Sequence, residues 1–245
     1  MLVQPIKTRV FKEGEDLVEF ITHYVKKLPE KSVLVITSKI AALAEKRTAE
    51  IRNDKTREKL IKKESQWAIK TKYTWLTIKD NMVMASAGID ESNADGKIIL
   101  LPKDSFKTAK EIRKKAQKRY KIKNLGVLIT DSRLLPLRAG IVGVALGYAG
   151  FKGIRDYRGT TDIFGRKLKV SRTDVADSLA SAAVLEMGEG KEQQPLSIIE
   201  NPPVEFTNQV NPKELQINPK EDIYQPLFEN IKKARIKKPP ELRGF

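Results

Sequence analysis

The chain has 245 residues, 40% hydrophobic and 32% charged, a composition typical of a globular protein with a packed core. Its 47 Lys and Arg against 31 Asp and Glu give a formal net charge of +16, which favours anionic partners such as nucleotides, nucleic acid or acidic small molecules. Cysteine is absent and His23 is the single histidine. These counts exclude disulfides, thiolate nucleophiles and Cys-based metal sites, and they disfavour a Ser-His-Asp arrangement.

Membrane and export signals are absent from the sequence pattern. No apolar run approaches the roughly 20 residues that a membrane helix needs, and Met1–Arg9 lacks the apolar region of a signal peptide. We therefore expect a cytoplasmic protein with no membrane partner. The groups left for chemistry are carboxylates, hydroxyls, backbone amides and cations, which suit Mg²⁺ or Mn²⁺ and phosphate esters better than zinc.

The first hundred residues alternate between helical and strand patterns. Glu15–Leu28 carries apolar residues at helical spacing, and Ser32–Thr37 is a β-branched run typical of a buried strand. The alanine-rich segment 40–49 predicts a second helix. Met82–Ala85 and Lys97–Leu101 are further strand candidates.

The rest of the chain continues this alternation until it becomes rich in Pro and Asn. Helices are predicted at Phe106–Tyr120 and Thr173–Met187, with a strand at Leu125–Thr130. Pro202–Pro219 reads as an extended loop, and Pro226–Ala234 as a short helix. Because the strands and helices follow no single βαβ period, the expected fold class is α+β, with mixed sheets and packed helices.

Two short segments place polar residues directly after predicted strands. Ala85–Asn93 combines small residues, which admit a ligand close to the backbone, with carboxylates that suit a hard cation. Gly126–Ser132 delivers Thr130, Asp131 and Ser132 to the end of an apolar strand, where open α/β sheets place ligands. The structural alternatives are an Asx-rich turn for the first segment and a glycine-kinked core strand for the second.

A third segment mixes both signs of charge with hydroxyls and glycine. It runs from Arg155 to Arg166 and leads into the predicted helix that ends at Met187-Gly188-Glu189. A carboxylate at that helix end can meet a phosphate. A solvated loop and a glycine C-cap are the structural alternatives.

Taken in order, these segments resemble a known family, the coenzyme F420-0:L-glutamate ligases, which add γ-linked glutamate to a deazaflavin precursor using GTP. The resemblance runs from Pro5 to about Ile199. The matching elements are Ala87–Asn93 with AGxDxSN, Thr130–Ser132 followed by Pro136, Arg138 and Gly140 with TDT…PxRxG, Arg155–Gly159 with Asp162 and Gly165-Arg166 with RDYRG…D…GR, and Met187–Glu189 with MGE.

The resemblance implies roles at the matched positions. Asp90 and Asp131 would be catalytic and hold one divalent ion, Mg²⁺ or Mn²⁺, while Ser132 and Glu189 would help to hold a second. GTP or ATP would contact Pro5, Ile6, Ser38, Lys39, Asn93, Met187 and Gly188. The glutamate and acceptor would contact Arg138, Arg155, Asp156, Arg158 and Asp162.

The resemblance also implies an architecture: a fold of the family's own, an intertwined homodimer, and a catalytic domain over residues 1–199, which forms either one unit or two interlocked subdomains. Residues 200–245 would then form a Pro/Asn-rich C-terminal extension.

The family's reaction fits the residue types present. An acceptor carboxylate attacks the γ-phosphate to give an acyl phosphate, which the glutamate amine then displaces. Both steps require positioning and charge neutralisation, and neither needs a Cys or His nucleophile. We expect Asp131→Asn to abolish turnover and to leave melting unchanged or raised, because it removes repulsion between like charges in the absence of metal.

Three stretches depart from the family pattern. Ala42-Leu43 stands where the family has Ser-Lys, Arg133–Arg138 replaces Phe-Gly-Arg-Pro-Trp-Arg, and Ile141–Gly143 replaces Gln-Thr-Asn. Lost hydrogen-bonding side chains change substrate discrimination. The departures therefore predict an anionic acceptor other than the F420 precursor, either a folate or a peptide or protein terminus. The F420 precursor is the alternative.

A function of another class is also compatible with the charge. Lys107–Lys123 holds nine basic residues against the single acid Glu111, as expected for an RNA- or ribosome-binding protein without catalysis. Tyr120 is the one aromatic residue in that segment, whereas binding of single strands usually needs several for base stacking. Nucleic acid is therefore a possible but disfavoured partner.

Overall fold

The computed structural model describes residues 1–50 and 53–228. Its strands are β1 (Leu2–Ile6), β2 (Ser32–Thr37), β3 (Thr48–Ala49), β4 (Trp67–Lys70), β5 (Trp75–Lys79), β6 (Met82–Ala85), β7 (Ile98–Ile99), β8 (Leu125–Leu134), β9 (Ile141–Ala149), β10 (Ile154–Asp156), β11 (Arg172–Asp174) and β12 (Leu196–Glu200). Its α-helices are α1 (Leu17–Tyr24), α2 (Ser38–Ala44), α3 (Asp54–Glu64), α4 (Ser105–Tyr120), α5 (Val175–Met187) and α6 (Gln225–Phe228).

The chain divides into two compact units. The first comprises Met1–Arg47 and Pro102–Leu215, and the second comprises Thr48–Leu101 together with the described residues from Gln216 to Phe228. Most of the second unit is thus an insertion between α2 and α4 of the first. The boundary expected near residue 199 stays a prediction.

The first unit is built on a mixed five-stranded sheet. The strand order is β1-β12-β2-β8-β9; β2 and β8 run parallel, and the other neighbours are antiparallel. The central strand β2 is buried from Ser32 to Ile36, as its β-branched run predicts. This sheet and its packed helices confirm the expected α+β class.

Helix α5 lies close against the sheet because the facing residues are small. A Cβ atom at Gly143 in β9 would overlap the carbonyl oxygen of Ala180 in α5. Ser181 adds a hydrogen bond from its hydroxyl to the carbonyl oxygen of Gly143 at 2.7 Å. The core around this contact includes Val35, Leu128, Ala145, Tyr148, Phe151, Val175, Ala176, Leu179 and Ala183.

The second unit has a smaller core of its own. Strands β4, β5 and β6 form an antiparallel sheet, and β3 pairs with β7. Ile61 of α3 packs with Ile89, Ile98 and Leu100, and the ring of Trp75 covers the cluster.

The largest correction to the predicted elements concerns β8. The strand continues to Leu134, four residues beyond the predicted end at Thr130, because residues 130–134 pair with 141–145 of β9. Asp131 and Ser132 therefore lie within a strand rather than after it. The ladder has a register shift between Ile129 and Thr130.

Other bounds also differ. Helix α1 is shorter than the predicted Glu15–Leu28. It begins after Asp16, which caps it by accepting from the backbone N–H groups of Val18 and Glu19, and it ends at Tyr24, before Val25 becomes extended. Helix α2 ends at Ala44, before Lys46 adopts φ +54°, so the chain reaches β3 where helix was predicted. The predicted strand 97–101 is reduced to β7.

The C-terminal part follows the prediction as far as it is described. Residues 202–219 form turns and one isolated bridge, Phe151 to Phe206, with no helix or longer strand. The predicted helix at 226–234 begins in α6, and its remainder lies outside the described residues. In the described part of the chain, every helix is too short or too polar to cross a membrane.

Candidate active site

Asp131 and Ser38 come together where β2 ends beside the parallel strand β8, which itself continues to Leu134. Thr37 of β2 pairs with Thr130 of β8, so the residues that follow them, Ser38 and Asp131, lie next to each other. The Ser38 hydroxyl donates to Asp131 Oδ1 at 3.1 Å. Two residues assigned to nucleotide and metal binding are thus neighbours in the first unit.

Arg133 binds the other oxygen of the Asp131 carboxylate. Its Nη1 donates to Asp131 Oδ2 and also to the carbonyl oxygen of Ser132, at 3.0 Å for the latter. Residues 131 and 133 share one face of β8 because successive side chains of a strand alternate. The Arg133 side chain is 8% exposed, against 23% for Asp131.

The rest of this buried guanidinium lacks a partner. Arg133 Nε and Nη2 make no hydrogen bond among the described residues, and neither does the buried hydroxyl of Thr130. Buried donors are nearly always paired, so the Nε and Nη2 groups of Arg133 mark a place where protein contacts are incomplete. Sequence reasoning assigned no role to Arg133, because the predicted strand ended at Thr130 and gave no indication that residues 131 and 133 share one strand face.

Ser132 and Glu189 form a second contact. The Ser132 hydroxyl donates to Glu189 Oε1. Glu189 is brought there by the end of α5, where Gly188 has φ +78° and donates its N–H to the carbonyl oxygen of Val184. Met187 is buried in the core. The pair expected to hold a second metal ion is therefore adjacent.

The other nucleotide candidates of the first unit lie near these strands. Pro5 and Ile6 belong to β1 and pair with Ser197 and Leu196 of β12. Lys39 is the second residue of α2, directly after Ser38.

Asp90 and Asn93 belong to the second unit. Asp90 follows a 3₁₀ turn, Ser86–Gly88, and bridges to Ile99 through both backbone groups. Its Oδ1 accepts from the Ser92 backbone N–H at 2.7 Å, and its Oδ2 accepts from the Ser92 hydroxyl at 3.0 Å. The loop is thus ordered as an Asx turn. A metal ion shared with Asp131 stays a prediction.

The charged residues of β10 and the loop that follows it contact one another or backbone groups. Arg158 Nε lies 2.9 Å from Asp156 Oδ1, and this guanidinium holds the pKa of Asp156 down to about 2. Asp162 accepts from two backbone N–H groups of its own turn. Arg155 donates to the carbonyl oxygen of Pro203, and Arg138 is exposed on the β8–β9 hairpin. Glutamate or acceptor binding by these residues stays a prediction.

The donor set at Asp131 does not fit a divalent ion in this arrangement. Both carboxylate oxygens already have partners, one of which is a cation. Among the described residues of either unit, no three Asp, Glu or His side chains cluster as metal ligands would.

The basic segment is partly used for internal contacts. Arg113 donates from Nε to the carbonyl oxygen of Leu125 at 2.7 Å, and burial lowers its pKa. Tyr120 donates its hydroxyl to the carbonyl oxygen of Val25 at 2.6 Å. The one aromatic ring in the segment is therefore fixed against the fold, which weakens the RNA-binding alternative.

Comparisons with known proteins agree with the arrangement of these segments. The family model described as F420-0:Gamma-glutamyl ligase matches residues 5–201. A coenzyme F420:L-glutamate ligase of Methanococcus maripaludis is 44% identical over 147 residues, which are 60% of this chain and 58% of the relative. Its counterpart in Methanopyrus kandleri is 38% identical over 152 residues, 60% of each chain.

A longer match covers more than three quarters of the chain. The coenzyme F420:L-glutamate ligase of Archaeoglobus fulgidus is 32% identical over 208 residues, 78% of this chain and 83% of the relative. Against the Methanococcus relative, the chain spans about three-fifths of that protein's length. Because the family model matches well over half of the residues, the chain belongs to the F420-0:Gamma-glutamyl ligase family.

Proposed function

We propose that this protein is a ligase that joins L-glutamate to an acceptor carboxylate through an amide bond. The observation that carries the proposal is the family match over residues 5–201, which includes both carboxylates assigned to catalysis. The contact between Ser38 and Asp131 supports it, since two positions that are distant in the sequence meet where β2 ends beside the parallel strand β8.

The reaction proposed is activation of the acceptor by a nucleoside triphosphate. The acceptor carboxylate attacks the γ-phosphorus, which forms an acyl phosphate and releases the nucleoside diphosphate. The glutamate amine then displaces phosphate and loses a proton. No protein nucleophile is required, in keeping with the absence of cysteine and with the edge-on contact of His23 with Tyr24 in α1.

The nucleotide, GTP or ATP, is part of this proposal. The side chains proposed to position it are those of the β2–α2 junction. Since the donor set at Asp131 does not fit a resident divalent ion, we propose that Mg²⁺ or Mn²⁺ enters as the counter-ion of the nucleotide phosphates.

For the acceptor, the comparisons favour the F420 precursor over a folate or a peptide. The relatives described above are named coenzyme F420:L-glutamate ligases. The structure also weakens one argument for another acceptor: Gly143, which stands where the family pattern has a polar residue, is buried beneath α5 and serves packing. We therefore propose the deazaflavin precursor as the first acceptor.

The test is turnover by purified protein with L-glutamate, Mg²⁺ and either GTP or ATP. The acceptor panel contains the deazaflavin precursor, a folate and a glutamate-terminated peptide, each read by phosphate release and by the mass of a glutamyl adduct. Glutamylation of the deazaflavin precursor is expected. Absence of both phosphate release and adduct with every acceptor and nucleotide contradicts the proposal.

A further inference from the structure

Arg133 places a permanent positive charge on the carboxylate expected to hold a metal ion. Its guanidinium donates to Asp131 Oδ2, while the Ser38 hydroxyl occupies Oδ1. A guanidinium does not deprotonate in proteins, so this charge is present at every accessible pH. A divalent ion bound to the same carboxylate would stand a few ångströms from it and be repelled.

The unpaired edge of the Arg133 guanidinium can contact a substrate oxyanion in place of a metal ion. A divalent ion at a carboxylate commonly bridges that carboxylate to an oxygen of a phosphate or carboxylic acid. Arg133 uses Nη1 for Asp131 and keeps the N–H groups of Nε and Nη2 unpaired in a buried position. Those two groups form the fork that binds oxyanions with two hydrogen bonds.

We propose that Arg133 replaces one of the two divalent ions, so that this chain binds at most one such ion of its own. The inference rests on the proposed function for the identity of the oxyanion, but the ion count is independent of it. Arg133 stands where the family pattern has an uncharged phenylalanine, so the replacement is a feature of this chain.

The experiment is titration of the purified protein with Mn²⁺ alone, with free Mn²⁺ measured by electron paramagnetic resonance. The wild-type chain is expected to bind no more than one Mn²⁺. Arg133→Met removes the charge with little change in volume and is expected to bind one more Mn²⁺ than the wild type. Arg119→Met removes a cation from the exposed end of α4 and is expected to leave the count unchanged.

Two results overturn the proposal: two Mn²⁺ bound per wild-type chain, or no added Mn²⁺ in a folded Arg133→Met. If that variant does not fold, Asp131→Asn decides, because a carboxylate engaged by Arg133 is not a ligand. The Mn²⁺ count of Asp131→Asn should equal that of the wild type, and loss of one ion from it contradicts the proposal. No nucleotide, glutamate or acceptor is present, so failure of the ligase assay leaves this result intact.

Discussion

The phenol of Tyr148 donates a 2.5 Å hydrogen bond to Glu214 Oε1, which joins β9 to a segment near the end of the first unit. The backbone N–H of Gly153 donates to the same oxygen at 2.8 Å. Burial, and then this bond to Glu214, raise the pKa of Tyr148 above its ordinary value. Residues just beyond β12 are therefore part of the folded unit.

Replacing Glu214 should destabilise the first unit more than replacing its partner. Glu214→Ala leaves two buried donors unpaired and is expected to lower the free energy of unfolding by about 2–3 kcal/mol, whereas Tyr148→Phe should cost about 1 kcal/mol. The measurement is urea unfolding at neutral pH. Glu205→Ala is the control, because its ion pair with Lys152 is exposed. An equal effect of the two alanine variants would show that the Tyr148–Glu214 bond contributes nothing.

Asp174 should make stability depend on pH. It caps α5 by accepting from the backbone N–H of Asp177, and burial raises its pKa to about 6. The folded state then binds a proton at Asp174 more tightly than the unfolded state does. The contribution of this proton to the free energy of unfolding is therefore full below about pH 4 and is lost as pH rises through about 6.

Asp174→Asn keeps an oxygen that can cap the helix and removes the charge. At about pH 7 it should raise the free energy of unfolding by about 1 kcal/mol, a value reduced for solvent screening, and at about pH 4 it should raise it little. Urea unfolding at both pH values checks this. A gain of the same size at both would exclude the titration of Asp174 as its cause.

The ion pair with Arg133 reverses the stability expected for Asp131→Asn. Sequence reasoning expects unchanged or raised melting from relief of repulsion between like charges, but the structure pairs Asp131 with a buried cation. Removing the carboxylate should therefore lower the free energy of unfolding by about 2 kcal/mol. The double variant with Arg133→Met should recover part of that loss. Thermal melting without metal measures both, and a melting temperature at or above wild type would restore the original expectation.

The close approach of β9 and α5 predicts a strong cost at Gly143. Gly143→Ala would place a methyl group against the carbonyl of Ala180, and overpacking of this kind costs about 1–3 kcal/mol. Gly140 is a control for backbone conformation, because it has φ +90° and open space around its Cα, so Gly140→Ala should cost only about 1 kcal/mol. Chemical denaturation compares the two, and an equal cost would contradict the packing role of Gly143.

Patterns in the sequence predict the elements whose stability is local. Ser32–Thr37 is recognisable because five of its six residues are buried, so the run is nearly continuous and β-branched. Ile141–Ala149 is ambiguous because Gly143 and Gly147 interrupt the apolar pattern, and only the packed helices explain those glycines. Weakly apolar segments such as Asp54–Glu64 give no clear period, and tertiary packing of Ile61 decides their structure.

Some residues of the candidate site can likewise be predicted from the sequence, and others cannot. Asp131, Ser132 and Glu189 are found from motif order, and the contact of Ser132 with Glu189 agrees with it. Arg133 is missed because a sequence does not show which carboxylate a cation will face, or that its side chain will be buried. That property depends on the extension of β8 beyond Thr130, which the pairing with β9 produces.

The exposed apolar residues of the first unit lead to the last prediction, that the protein is a homodimer. Leu137 at the β8–β9 hairpin is fully exposed, and Ile163 and Phe164 in the β10–β11 loop are 91% and 88% exposed. Large apolar side chains that are this exposed are candidates for burial in an interface. Sedimentation equilibrium at micromolar concentration should give twice the chain mass. Leu137→Asp and Phe164→Asp should weaken the dimer, because each would bury an unpaired charge. Leu185→Asp, on the exposed side of α5, is the control for loss of an exposed apolar side chain outside these loops. A monomeric wild type that turns over its substrates would refute the prediction.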